Sequence, residues 1–118
     1  MADAGLFIGW GQVVRGREGP AIDSFNETIE FLGQLQGDAR IEDFEICFLE
    51  PHGGDLGGFM LVRGSTEQMD AVRADDEFLR HMTRADLLVD NLGIVDAALG
   101  DGIARQMAIY QEEIGALA

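Results

Sequence analysis

The chain contains no lysine. All eight cations are arginine, set against twenty-two aspartates and glutamates, for a formal net charge of −14. That balance repels nucleic-acid phosphates and anionic membrane surfaces, so neither is expected as a partner. It gives a solvated, self-repelling surface. One cysteine, Cys47, excludes an intramolecular disulfide. No basic stretch precedes the short apolar part of "MADAGLFIGW", so no secretory leader is read and a cytoplasmic protein is expected. Apolar runs such as "GLFIGWG" and "FMLV" are far too short to span a bilayer. Only two histidines are present, with no HxH, HExxH or CxxC spacing, so neither a metal site nor a cofactor is expected.

What is there is the material of one globular domain. The 118 residues are 47% hydrophobic, and residues 1–118 read as a single unit without a linker. "GLFIGWGQVV" (Gly5 to Val14) reads as a strand. Pro20 suits the first turn of a helix, whose stripe Ile22, Phe25, Ile29, Leu32 and Leu35 runs to a stop at Gly37. "RIEDFEICFLEP" alternates, with Phe44, Ile46 and Phe48 opposite Asp43, Glu45, Cys47 and Leu49. "GFMLVRG" is a third strand. Ser65 and Gln68 have capping-box spacing ahead of a helix that "RADD" divides in two. "NLGIVDAALG" is a fourth strand. A terminal helix of about 102–117 carries Ile103, Met107, Tyr110, Ile114 and Leu117 on one seam, an arm that packs on something.

The order βαββαβ predicts an α+β, ferredoxin-like fold: a four-stranded antiparallel sheet, two helices on one face, and an extra C-terminal helix. A sheet covered on one side should be polar on the other. Here Leu6, Ile8 and Trp10 oppose Phe7 and Val13, and Met60 and Val62 oppose Phe59 and Leu61. Both faces are apolar, so a sheet-to-sheet homodimer is expected.

Several residues are candidates for chemistry. "HGGDLGG" has neither the lysine of a phosphate loop, nor the serine of a nucleophile elbow, nor a following helix. It reads as a turn, or as a rim loop with His52 leaning over a pocket. Trp10, the only tryptophan, belongs either to the core or dimer interface or to a pocket wall. Arg63 and Asp96 each interrupt an apolar strand and must be paired or face a wet cavity. They pair with each other or with Glu45, or else Arg63 binds an anion and Asp96 acts as a base. His81 sits in a helix beside Arg80 and Arg84, on its surface or in a site. Cys47 reads as a small buried hydrophobe. The run Asp75, Asp76 and Glu77 suits a solvated helix N-terminus.

Two-sided apolar strands in a βαββαβ order, together with "DDEFLRHMTRADLLVDNLGIVDAALGDGIARQM", resemble the dimeric α/β-barrel superfamily, in particular its uncharacterised bacterial members. That resemblance implies two ferredoxin-like protomers packed sheet to sheet. Haem-degrading members would place an axial histidine at His81. They also have a tryptophan and, on the first strand, an asparagine. Here that strand offers Trp10 and Gln12 instead, and no haem is assigned. The favoured reading is a small apolar or aromatic ligand held between sheet and helices, with Trp10, Gln12, His52 and Arg63 as ligand-binding residues. The alternative is a cofactor-independent monooxygenase or isomerase on a polyketide-like or phenolic substrate, with His81 and Asp96 as catalytic residues. A purely structural protein using its C-terminal arm is a third reading.

Overall fold

A computed structural model describes residues 2–118. The chain runs β1 (Ala4–Trp10), α1 (Glu18–Gly37), β2 (Asp43–Phe48), β3 (Gly58–Gly64), α2 (Thr66–Ala74), α3 (Asp76–Asp86), β4 (Gly93–Ala98) and α4 (Asp101–Leu117). The strands form one sheet in the order β2–β3–β1–β4, and every pairing is antiparallel. This is the expected ferredoxin-like arrangement, two split βαβ units with β3 and β1 at the centre.

Strand alternation decides which side chains meet the helices. Leu6 and Ile8 of β1 and Met60 and Val62 of β3 are buried against Phe31, Leu32 and Leu35 of α1. Met69 and Val72 of α2 and Phe78 and Met82 of α3 complete that core. Burying each such side chain contributes about 1.5–3 kcal/mol. The opposite face carries Phe7 and Phe59, stacked at 5.1 Å, with Leu61 and Val95. No helix covers it: Val95 is 56% exposed.

Local signals account for most boundaries. The Ser65 hydroxyl accepts from the Gln68 backbone N–H while Gln68 Oε1 accepts from the Ser65 N–H, the predicted capping box. The second helical segment does divide in two. Asp75 adopts an extended conformation and caps α3, accepting from the backbone N–H groups of Glu77 and Phe78.

Three details differ from the sequence reading. First, β1 stops at Trp10, short of Val14. Asn91, at φ 58°, turns the neighbouring chain, and beyond that point the pairing continues as a bridge between Val13 and Val89 with the backbone hydrogen bonds around it. Second, α1 starts at Glu18, which makes Pro20 its third residue, still within the turn where the missing N–H costs nothing. Third, the buried face of α1 is rotated from the Ile22–Phe25 stripe towards Ala21, Ser24 and Thr28. Those three residues are too small to fill the space between helix and sheet. The terminal helix appears where expected, and none of its side chains is buried.

Candidate functional site

The small residues of α1 leave a cavity of about 220 Å³ above the sheet. Ile8 and Met60 form its floor, Ala21, Ser24 and Thr28 one wall, and Met82 and Leu88 another. Three aromatic rings close its end. Trp10 meets Phe25 at 6.1 Å and Phe48 at 6.2 Å, both edge-on, and Phe25 lies 5.4 Å from Phe48. These separations lie in the favourable range for aromatic pairs.

The register explains the ring cluster. Phe48 pairs with Gly58, and Gly58 pairs with Trp10, so the three form one row across β2, β3 and β1. A Cβ at Gly58 would lie 2.7 Å from Trp10 Cζ2. The missing side chain is what lets the two rings meet. Two of the lining groups remain largely in solvent: Phe48 is 67% exposed and Ile22 61%.

None of the fifteen lining residues is ionisable. Besides the indole N–H of Trp10, the polar side chains on the wall are those of Ser24 and Thr28, both buried on α1. Thr28 Oγ1 donates to the Ser24 carbonyl at 2.9 Å, which leaves its lone pairs free. An apolar cavity of about 150 Å³ already admits benzene. The larger space here suits one aromatic ring or a short aliphatic chain, and the open mouth lets a tail protrude.

Of the residues singled out from the sequence, Trp10 is on the cavity wall. The others lie elsewhere. Gln12 is exposed, and its carbonyl accepts from Asp90 N–H at 2.7 Å. His52 folds its own loop: Nε2 lies 2.7 Å from the Leu56 carbonyl, and Nδ1 accepts from Gly54 N–H at 3.1 Å. Those two contacts select the tautomer with the proton on Nε2.

Arg63 is on the uncovered face of the sheet, where it donates to Glu45 at 2.9 Å and to Asp43 at 3.2 Å. Its hydrogen bond to Glu45, then that to Asp43, holds its pKa above the ordinary guanidinium value. Asp96 pairs with Arg73 of α2 at 2.9 Å rather than with Arg63, and its side chain is 77% exposed. His81 is buried, not on the helix surface. Its ring stacks on Phe31 at 4.8 Å, Nε2 lies 3.8 Å from Glu77 Oε2, and Nδ1 has no hydrogen-bond partner. It does not line the cavity. Cys47 is only half-buried and belongs to the uncovered face, across from Phe59.

Ser24, Thr28, Phe25 and Phe48 are the wall residues that the sequence reading did not single out. The available signal was two small hydroxyl residues one helical turn apart on a face that has to be buried. Among the described residues, no group of three or more His, Cys, Asp or Glu side chains is placed to hold a metal ion. No helix among the described residues is long and apolar enough to cross a membrane.

No protein-family model matches the chain, and no curated protein sequence does. Solved structures do match. A dimeric ferredoxin-like protein of unknown function from Jannaschia sp. CCS1 is 13% identical with a TM-score of 0.63, over 81% of this chain and 99% of the other. A dimeric ferredoxin-like protein of unknown function from Bacteroides fragilis is 11% identical with a TM-score of 0.58, over 81% and 96%. SnoaB, a cofactor-independent oxygenase from Streptomyces nogalater, is 19% identical with a TM-score of 0.53, over 84% and 95%. Likeness at these identities concerns fold alone. The chain has the ferredoxin-like fold of these proteins.

Proposed function

We propose that this protein binds a small, uncharged apolar or aromatic ligand in the cavity between α1, α3 and the sheet, and that it does so as a cytoplasmic sheet-to-sheet homodimer. The observation that carries the binding reading is the lining itself, three packed aromatic rings and no ionisable group. A pocket of this kind gains affinity from apolar contact. The dimer reading rests on the uncovered apolar face and on the dimeric state of the Jannaschia and Bacteroides proteins. A cofactor-independent oxygenase or isomerase would need an acid or base beside its substrate. Neither His81 nor Asp96 is beside this cavity.

Trp10 is the only tryptophan, so its emission reports on the site without a label. Titration with 1-bromo-4-ethylbenzene, a heavy-atom quencher, is expected to quench Trp10 saturably and to raise the melting temperature in parallel. Ala21→Phe, which fills the cavity from α1, should abolish both effects. Linear, unsaturable quenching that Ala21→Phe leaves unchanged would reject the cavity as a binding site.

A further inference from the structure

Apart from the Trp10 indole N–H, the polar groups on the cavity wall are two hydroxyls one helical turn apart. Ser24 is only 6% exposed and lines the cavity. Among the described residues its hydroxyl makes no hydrogen bond, although Thr28, one turn on, uses its own hydroxyl to bond the Ser24 carbonyl. Its oxygen is not sealed off from solvent, so what it faces is the open space of the cavity. A helix could hold this one internally, since serine readily bonds the carbonyl four residues back. Here it does not, and it stays available to whatever occupies the space.

We propose that Ser24 sets the specificity of the cavity, selecting ligands with a single uncharged hydrogen-bonding oxygen, an alcohol or ketone on an otherwise apolar frame. This rests on the cavity reading above and adds the polar end of the ligand to it. The Ser24 hydroxyl donates to a ketone, or accepts from an alcohol. Thr28 Oγ1, with its proton committed to a carbonyl, adds an acceptor on the alcohol side only. Carboxylates are refused. No arginine or histidine lines the wall to neutralise one, and the chain carries a net charge of −14.

Three probes of one size test this by Trp10 quenching: 4-bromobenzyl alcohol, 1-bromo-4-ethylbenzene and 4-bromobenzoate. The wild-type protein is expected to bind the first two and not the third. Ser24→Ala removes one oxygen with little change of shape and suits a helix. It should weaken the alcohol by about 2- to 10-fold, the range of one net hydrogen bond, and leave the ethyl compound within about 2-fold. The comparison between probes cancels any general effect on the cavity. If both compounds bind but Ser24→Ala changes them equally, Ser24 has no such role and the cavity reading stands. Failure of both to bind the wild-type protein removes the cavity reading and this one together. Tight binding of 4-bromobenzoate would overturn the charge argument alone.

Discussion

Trp10 and Phe48 meet edge to face across Gly58, their ring centroids 6.2 Å apart and their planes at 80°. The end of the cavity exists because β3 offers no side chain at that point. A Cβ on Gly58 would lie 2.7 Å from Trp10 Cζ2 and 2.8 Å from the Cys47 carbonyl oxygen. The indole could swing aside, but the carbonyl is fixed in the β2–β3 ladder. Gly58→Ala is therefore expected to cost about 1–3 kcal/mol by overpacking, seen as a melting temperature lower by several degrees and a shifted Trp10 emission. Gly33, inside α1, has nothing within 4 Å of its would-be Cβ. Gly33→Ala should raise stability by about 0.5–1 kcal/mol and leave the emission alone. Equal effects from the two substitutions would mean that Gly58 is not a packing requirement.

The contrast between these glycines shows what the sequence could disclose. The Ser65–Gln68 capping box and the helix break at Asp75 follow from local rules, each readable from a few neighbouring residues, and the strand order follows from the βαββαβ succession along the whole chain. The site was less legible because it depends on pairings distant in the chain. Arg63 finds Glu45 and Asp43 through the β2–β3 register, and Asp96 finds Arg73 on a different helix. Glu45 was among the partners the sequence offered for Arg63, whereas Asp43, and Arg73 for Asp96, were not. The cavity was hidden for a related reason. Helical periodicity marked Ile22 and Phe25 by hydrophobicity, whereas the face against the sheet starts with Ala21, Ser24 and Thr28.

Asp75 joins two jobs. It caps α3 through the N–H groups of Glu77 and Phe78, and it accepts from Arg40 Nη2 at 2.7 Å. The hydrogen bond from Arg40, followed by that from the Phe78 backbone, holds its pKa below the ordinary carboxylate value. A lowered folded-state pKa means that the folded chain binds fewer protons than the unfolded chain. The stabilisation is complete above the unfolded value of about 3.9 and is lost as pH falls through the lower folded value. Asp75→Asn keeps the cap but removes the charge, so it should flatten the acid limb of the stability–pH profile below about pH 4. Asp75→Ala loses the cap as well and should cost about 1 kcal/mol more at neutral pH. Superimposable acid limbs for wild type and Asp75→Asn would contradict this assignment.

His81 stacks on Phe31 with its Nδ1 buried and unpartnered. A buried nitrogen without a partner costs about 1–3 kcal/mol, whereas an apolar group of similar size there is nearly neutral. His81→Leu should therefore leave the melting temperature unchanged or raise it, less what the aromatic stack contributes. His81→Ala opens a void and should lower stability by about 2 kcal/mol or more. Ligand affinity measured at Trp10 should survive both substitutions, since His81 does not line the cavity. A leucine variant as unstable as the alanine one would show that the imidazole nitrogens hold the fold.

The uncovered face of the sheet gives the last prediction. Val95 is 56% exposed in the protomer and pairs across the sheet with Phe7, whose ring stacks on Phe59. A glutamate at position 95 can remain in water as long as the protomer is alone, so Val95→Glu should change the stability of the isolated fold by no more than about 0.5 kcal/mol. In a sheet-to-sheet dimer the same carboxylate would be desolvated, and Arg63 on that face is already held by Glu45 and Asp43; a two-fold axis would also bring its copy onto the same buried face. A penalty of about 3 kcal/mol raises the dimer dissociation constant by more than a hundredfold. Light scattering is expected to give half the wild-type mass at micromolar concentration, with the ligand-induced quenching of Trp10 retained because the cavity lies on the other side of the sheet. A wild-type mass of one chain would overturn the proposed dimer; a dimeric mass unchanged by the substitution would place its contact elsewhere, with the exposed seam of α4 the next surface to substitute.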